Sequence, residues 1–244
     1  MNLLSELRAT NFGKYTWLCN PTLAQWIVEL LSAYGNSILD VGCGNGFMID
    51  FYLKKFKQIS AIDPSDSVVS SMSNLAIEKG IVFQKASAEK IPFIDDSFDI
   101  AFAKSSLHHF DQPIKGISEM YRVARRVVAV MEVVAPSETC LPFLSNLLVK
   151  KEVGRVQASV FTEKTLKEML LNSIPVKMMN SLIYDQYIDI ETWIQYSDLS
   201  ATQKTELLKS ILSMDSNTAK QMQLHKRDGN HVMLRKMCLC IAFL

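Results

Sequence analysis

The sequence lacks a strong charge imbalance and a long apolar run, and each absence argues against a class of protein. Lysine and arginine number 26 against 25 aspartate and glutamate residues, which leaves a net charge of +1 over 244 residues. Dedicated nucleic-acid binders attract phosphates with an excess of basic residues, so this balance argues against such a partner. The longest apolar run, Met237–Leu244, is too short to cross a bilayer. We therefore expect no membrane span.

Cysteine is also scarce, with five residues and no Cys-x-x-Cys pair. The odd number argues against a disulfide framework, and the missing pair argues against a structural zinc site. Residues 1–8 lack the basic start and apolar stretch of a secretory signal. We therefore expect reduced thiols, no bound metal and a cytoplasmic protein.

Apolar residues make up 48% of the chain, and in its first half they form short runs separated by helical patterns. Near-continuous apolar strands alternating with helices predict a doubly wound, mostly parallel α/β sheet with helices on both faces. The predicted strands are Asn36–Val41, Gln58–Asp63, Ile81–Lys85, Phe98–Ala103 and Val127–Val134. The predicted helices are Pro21–Tyr34, with Asn20 as N-cap, and Phe47–Phe56, Ser67–Lys79 and Ile114–Arg125.

The second half of the chain is less regular. Its patterns predict two further strands, which bring the sheet to seven, and helices between them. We expect a loop with helical pieces over Pro136–Ser159, a helix over Thr162–Leu171, a strand over Pro175–Tyr184, three short helices over Ile188–Leu224 that break near Ser200 and Asp215, and a closing strand over His231–Leu244.

The most informative segment is ILDVGCGNG, which spans Ile38–Gly46. Glycines after a buried strand let the backbone turn sharply and approach a ligand closely. Asp63 ends the next predicted strand, at roughly the 20-residue interval expected for a carboxylate that accepts ribose hydroxyls. Dinucleotide sites use G-x-G-x-x-G, whereas the spacing here is G-x-G-x-G. Asp40, just before the glycines, would repel a pyrophosphate but suits a ligand with an amino group, so the pattern favours another adenosine ligand over NAD.

Four segments in order, ILDVGCGNG, AIDPS, ASAEKIPF and DDSFDIAFAKSSLHHF, carry a family resemblance. Over roughly residues 10–135 the chain resembles the class I S-adenosylmethionine-dependent methyltransferases. The branch it is most similar to includes the ubiquinone and menaquinone C-methyltransferases and many small-molecule methyltransferases. The resemblance implies a Rossmann-like methyltransferase fold, S-adenosylmethionine as cofactor, and methyl transfer to O, N or C of a small-molecule acceptor.

The resemblance also assigns roles to matching positions. The glycine loop would hold the methionine part and ribose, Asp40 would orient the amino group, and Asp63 would take the ribose hydroxyls. The family usually has aspartate where this chain has Ser87, so a charge is missing at the adenine contact. The implied cofactor-binding residues are Asp40, Gly42, Cys43, Gly44, Gly46, Asp63, Pro64, Ser65, Ser87, Ala88, Ala103 and Lys104.

The candidate catalytic residues are His108 and His109, at the expected mouth of the site. A base matters only if the acceptor carries a proton at neutral pH, and histidine suits that task. The alternative is a structural role in which the histidines pack the loop by hydrogen bonds. Lys104 is a departure from the family, and its side chain either points away or engages an anionic substrate. Cys43 is expected to be inert.

The resemblance organises the chain as a single domain, 1–244. It would comprise an N-terminal lid and first helix (1–35), a cofactor-binding core (36–135) and two substrate-side insertions (136–160 and 188–224). Tyr15–Trp17 would close over the cofactor. Aromatic residues Tyr184, Tyr187, Trp193 and Tyr196 line the acceptor pocket or only pack helices.

Two other functions and one local alternative stay open. The chain could be a tRNA-modifying methyltransferase, against which the weak net charge argues, or a non-catalytic S-adenosylmethionine-binding protein. The cluster of Arg122, Arg125 and Arg126 is interpreted as the solvated end of a helix, with phosphate binding as the alternative.

Overall fold

The computed structural model describes residues 20–151, 159–195, 197 and 199–244, which form two compact units. The first unit comprises the described residues up to Glu132 together with Lys167–Ser181 and Leu239–Leu244. The second unit comprises Val133–Leu166 and Leu182–Cys238. The predictions for Tyr15–Trp17 and Tyr196, and part of the 136–160 segment, lie outside the described residues.

A nine-stranded sheet organises the fold, with seven strands in the row β3-β2-β1-β4-β5-β9-β7. The first five strands pair in parallel, so the predicted doubly wound, mostly parallel α/β architecture is confirmed. The row consists of β1 (Ser37–Val41), β2 (Gln58–Asp63), β3 (Val82–Lys85), β4 (Phe98–Lys104), β5 (Ala124–Ala135), β7 (Met178–Asp189) and β9 (Asn230–Phe243).

Two short strands lie off this row and were missed by the sequence prediction. The strand β6 (Phe161–Thr162) pairs with β5, and β8 (His225–Arg227) pairs with β9. They comprise two and three residues, which is too short for an alternating apolar pattern to be recognised.

The helices in chain order are α1 (Pro21–Ser32), α2 (Ile49–Tyr52), α3 (Asp66–Lys79), α4 (Pro113–Val123), α5 (Leu141–Lys151), α6 (Glu163–Ser173), α7 (Ile190–Gln195), α8 (Ala201–Leu212) and α9 (Ser216–Gln221). The start of α1 is as predicted, because the side chain of Asn20 accepts a hydrogen bond from the Leu23 N–H at 3.1 Å. The predicted breaks near Ser200 and Asp215 are also confirmed, since these residues cap α8 and α9.

Two predictions were wrong, and a third was less detailed than the structure. A helix was expected over Phe47–Phe56, but α2 ends at Tyr52, and the Lys57 N–H then donates to the Asn36 carbonyl at 2.8 Å. The segment after Pro136, expected to be a loop with helical pieces, contains such a piece in the helix α5. Arg125 and Arg126 do not end a helix. They lie on β5, where Arg125 Nη2 is 3.0 Å from Asp99 Oδ1, so a charged partner on β4 explains their position.

In the second unit, α5 packs against α8. Leu144 and Leu147 of α5 are buried, as are Leu207 and Ile211 of α8, so this helix pair has an apolar core of its own. None of the helices among the described residues is long and apolar enough to cross a membrane.

Candidate active site

The loop after β1 brings three left-handed glycines together. Gly42, Gly44 and Gly46 have φ of 74°, 53° and 76°, a region that L side chains rarely adopt. A Cβ built on Gly42 would lie 2.6 Å from Ser106 Cβ, and one on Gly46 would lie 2.7 Å from Met72 Sδ. A Cβ built on Gly44 would meet nothing within 4 Å among the described residues. The loop is therefore pressed against the fold at both ends and open in the middle, where a ligand can approach the backbone.

Asp63, at the end of β2, holds this loop in place. Its Oδ2 accepts the N–H of Gly44 at 2.9 Å, and its Oδ1 accepts the N–H of Ser65 at 2.9 Å. A carboxylate oxygen has two lone pairs, so both oxygens keep acceptor capacity. Pro64 and Ser65 are exposed beside it. The structure thus brings together Gly44, Asp63 and Ser65.

Asp40, on β1, is a buried carboxylate at only 2% relative exposure. Neither its Oδ2 nor the hydroxyl of the nearby, fully buried Tyr52 has a hydrogen-bond partner of normal geometry among the described residues. Burial raises the pKa of Asp40 to about 7, with the positive charge of Lys104 and the nearby Tyr52 hydroxyl opposing this rise and Asp63 adding to it. A buried polar atom without a hydrogen bond costs folding free energy, and a ligand that donates a hydrogen bond to this oxygen would offset that cost.

Lys104 and Ala103 end β4, and they differ in burial. Ala103 is fully buried, while Lys104 is half-buried and close enough to lower the pKa of Asp40. Burial raises the pKa of Cys43 well above its ordinary value, with Asp40 and Asp63 contributing, so this thiol stays protonated and is a poor nucleophile.

The turn that carries Ser87 and Ala88 follows β3. The Ala86 N–H donates to the Asp63 carbonyl at 3.3 Å, which places this turn beside the carboxylate that holds the glycine loop. Ser87 is half-buried, whereas Ala88 is buried. A Cβ built on Gly116 of α4 would lie 3.3 Å from the Ala88 Cβ, so that side chain faces α4.

Two charged residues of α4, Glu119 and Arg122, hold the chain that follows this turn, and we call this pair the clamp. The sequence analysis did not identify it. Glu119 Oε2 accepts the Ile91 N–H at 3.0 Å, and Arg122 donates to the carbonyls of Phe93 at 2.8 Å and Ile91 at 2.9 Å. Arg122 also contacts Asp95 at 2.8 Å. The three arginines that the sequence analysis interpreted as one solvated helix end therefore have different positions. Arg122 holds the loop from α4, whereas Arg125 and Arg126 lie on β5.

The last part of the site lies where β4 ends. Ser105 has a left-handed φ of 52°, and its buried hydroxyl lacks a partner within the described part of the chain. The next residue, Ser106, donates its hydroxyl to the Val41 carbonyl at 2.8 Å, which ties this turn to the glycine loop. Such left-handed backbone at a non-glycine residue is uncommon and concentrates at functional sites.

His108 pairs with a buried carboxylate, Glu132 of β5, which is 1% exposed. His108 Nδ1 lies 2.7 Å from Glu132 Oε2, while Glu132 Oε1 accepts the Leu107 N–H at 2.8 Å. Burial opposes ionisation of Glu132 most strongly, but His108, His109 and these hydrogen bonds together hold its pKa below the ordinary value. The rings of His108 and His109 are 4.2 Å apart, and His109 is exposed.

Within residues 20–151, 159–195, 197 and 199–244, no group of three histidine, cysteine, aspartate or glutamate side chains is arranged to hold a metal ion. That no metal is needed remains a prediction.

Comparisons with known proteins connect this site to a family. A family model described as a methyltransferase domain matches residues 39–129. The uncharacterized methyltransferase YcgJ of Bacillus subtilis is 24% identical over 180 residues, which is 71% of this chain and 70% of YcgJ. The ubiquinone biosynthesis O-methyltransferase of Pseudomonas entomophila is 27% identical over 112 residues, 43% of this chain and 47% of that protein, so the match spans about half of its length.

Solved structures agree on the fold. The crystal structure of YcgJ aligns with a TM-score of 0.77 at 20% identity, covering 88% of this chain and 97% of that one. A putative methyltransferase from Bacillus halodurans aligns with a TM-score of 0.77 at 19% identity, covering 90% and 97%. The Rossmann-like fold, the glycine loop and the matching family model agree, and S-adenosylmethionine is the cofactor of this family. Residues 39–129 therefore match a methyltransferase domain, and this match, the curated relatives and the shared fold together support a class I S-adenosylmethionine-dependent methyltransferase.

Proposed function

We propose that this enzyme methylates a small-molecule acceptor and that the cofactor lies between the glycine loop, Asp40 and Asp63. The observation that carries the proposal is the buried oxygen Asp40 Oδ2, which has no hydrogen bond of normal geometry among the described residues and precedes a loop whose backbone is open at Gly44. An ammonium group would supply a charge-assisted donor to this carboxylate, whereas an anionic ligand would be repelled by it. S-adenosylmethionine carries such an ammonium group, together with an adenosine ribose.

Each remaining contact has a role in this proposal. Asp63 accepts the ribose hydroxyls with its second lone pairs, with Pro64 and Ser65 beside it. Gly42, Cys43, Gly44 and Gly46 present backbone to the methionine part. Ser87 and the backbone of Ala88 contact the adenine, while Ala103 and Lys104 lie toward the reacting sulfonium. The sulfonium supplies an activated methyl group, so the protein's task is to position the acceptor and exclude water.

Two features support a small-molecule acceptor over tRNA. The net charge of +1 offers no overall attraction for phosphates. One relative carries the name of an enzyme of ubiquinone biosynthesis, which suggests an acceptor of small-molecule size.

The free thiols of residues such as Cys43 and Cys140 are consistent with a location in the cytoplasm, where thiols stay reduced.

Calorimetry tests the cofactor part of the proposal. S-adenosylmethionine and S-adenosylhomocysteine should bind, and NAD should not. Tighter binding of NAD than of S-adenosylhomocysteine would reverse the assignment. Incubation with labelled S-adenosylmethionine and an extract of small molecules then tests catalysis, and label found only in tRNA would replace the small-molecule acceptor.

A further inference from the structure

The contact between His108 and Glu132 has features of a proton-accepting pair rather than of a packing contact. Glu132 is buried on β5, yet its pKa stays below the ordinary value. Its two oxygens take different donors, the Leu107 N–H and His108 Nδ1. Holding an ionised carboxylate in the interior is expensive, so both donors are needed for its stability.

This arrangement fixes which nitrogen of His108 carries the proton. An ionised carboxylate accepts hydrogen bonds only, so Nδ1 must be the donor. In the neutral ring the lone pair is then on Nε2. The side chain of His108 is 12% exposed, so the ring is not sealed in the core with its partner. The geometry thus supplies a base oriented and charge-balanced by a carboxylate behind it.

The pair also lies at the carboxyl ends of the parallel strands, which is where a ligand is expected. β4 and β5 pair in parallel, and His108 and Glu132 follow Lys104 and Met131, which face each other in the register. Ligands of open α/β sheets bind beyond the carboxyl ends of the strands. Ser106, two residues before His108, is hydrogen-bonded to Val41 at the start of the glycine loop. The base is therefore connected to the cofactor loop through one short turn.

We propose that His108, positioned by Glu132, removes the proton from an acceptor hydroxyl or N–H group during methyl transfer. This rests on the proposed function and narrows its acceptor to O or N. The acceptor atom forms a bond to the methyl carbon while the carbon–sulfur bond breaks and its electron pair stays on sulfur. The acceptor's proton goes to His108 Nε2, Glu132 balances the imidazolium charge, and the proton then passes to solvent. His108 is the catalytic residue and Glu132 a positioning residue.

The proton placement can be measured on the unmodified protein. Long-range nitrogen–proton NMR of the four histidines distinguishes the two tautomers, and His108→Asn assigns the signal. We expect a protonated Nδ1 and a lone pair on Nε2 in the neutral ring. A proton on Nε2 would overturn the proposal without any need for an acceptor.

Transfer of label to two small probes tests the chemistry. Catechol must lose a proton to the enzyme, whereas 4-nitrocatechol is acidic enough to ionise by itself. His108→Asn and Glu132→Gln should slow transfer to catechol by about 10²–10⁴-fold, with a much smaller loss for 4-nitrocatechol. Equal losses for both probes, no loss, or transfer to a thiol or carbon acceptor in place of both catechols would overturn the proposal.

His231 offers a matched control. Its Nδ1 lies 2.6 Å from Glu191 Oε1, a similar contact in the second unit, so His231→Asn should leave the ratio of the two probes unchanged. Calorimetry with S-adenosylhomocysteine on each variant separates the two levels of the argument. If the wild-type protein did not bind S-adenosylhomocysteine, the proposed function would be refuted. If it bound this ligand but His108 carried its proton on Nε2, or the substitutions slowed transfer to both catechols equally, only the role of His108 would be refuted.

Discussion

At the residue scale, Asp40 connects cofactor binding to pH. Because its pKa is raised to about 7, the carboxyl group is largely protonated at pH 6 and ionised at pH 8. An ammonium group binds the ionised form, so affinity for S-adenosylhomocysteine should be about tenfold lower at pH 6 than at pH 8. Calorimetry across this range checks it, and a flat profile would remove Asp40 from the ammonium contact.

The same residue should lower stability. The folded protein holds a proton on Asp40 up to about pH 7, whereas the unfolded chain releases it near the ordinary aspartate pKa of 3.8. Stability therefore falls as pH rises between these values and does not recover above them. Asp40→Asn should raise the free energy of unfolding at pH 8 by about 1–4 kcal/mol, with little change near pH 3, and should abolish cofactor binding.

Asp99 provides a control of opposite sign for this stability measurement. Although burial opposes ionisation, hydrogen bonds from Asn36, Arg125 and Ser37 hold its pKa below the ordinary value. Asp99→Asn should therefore destabilise the protein at neutral pH and lose its effect in acid. Denaturant titrations at two pH values distinguish Asp40→Asn from Asp99→Asn. If both substitutions changed the free energy of unfolding in the same direction at neutral pH, the opposite pKa shifts of the two residues would be contradicted.

Two glycines predict contrasting effects of the same substitution. Both Gly42 and Gly44 have positive φ, so an alanine at either position should cost about 1–2 kcal/mol of backbone strain. At Gly42 the new methyl group also collides with Ser106, whereas at Gly44 it enters open space. We expect Gly42→Ala to lower the melting temperature more and Gly44→Ala to lower cofactor affinity more. Thermal melts and calorimetry give both readouts, and identical effects would count against a ligand at Gly44.

At the scale of elements, the clamp from α4 positions the turn that carries Ser87. Arg122→Ala should remove charge-assisted hydrogen bonds to two carbonyls and destabilise the fold by about 1–3 kcal/mol. The loosened turn should also weaken S-adenosylhomocysteine binding. Arg126→Ala is the control, because its exposed guanidinium lies 3.7 Å from Asp99 and should contribute little. Equal effects of the two substitutions in urea titrations would contradict the clamp.

At the scale of the whole molecule, the prediction that 188–224 serves the acceptor still needs a test. Asn230 Nδ2 lies 2.6 Å from Asp189 Oδ2, so the end of β7 and the start of β9 meet and a short turn can replace residues 190–229. In a variant in which a short turn replaces residues 190–229, we expect the rate of methyl transfer to fall by roughly 100-fold or more while S-adenosylhomocysteine still binds.

A milder variant controls this deletion. Ser200→Ala removes only the N-cap of α8, which should cost about 1 kcal/mol, and it should keep transfer. Circular dichroism must show that the deletion variant still folds. Full transfer by a folded deletion variant would place the acceptor contacts elsewhere in the chain.

Much of the architecture was legible in the sequence because its causes are local. Strands β1 and β2 follow from short apolar runs, and the breaks at Ser200 and Asp215 follow from side chains that cap the next helix. The left-handed glycine turn follows from the absence of a side chain. The end of α2 was misjudged and the bounds of α5 were not predicted, because the local apolar period is ambiguous in both segments.

The sequence by itself determined the order of strands and helices, the glycine loop and the likeness to a methyltransferase family, since these depend on residue type and spacing. Only the tertiary structure decided which charges meet. Glu132 and His108 are 24 residues apart, and they pair because β4 and β5 are neighbours in the sheet. Arg122 reaches the carbonyl of Phe93 because α4 packs beside that loop. Such contacts are long-range in sequence, and no local periodicity encodes them.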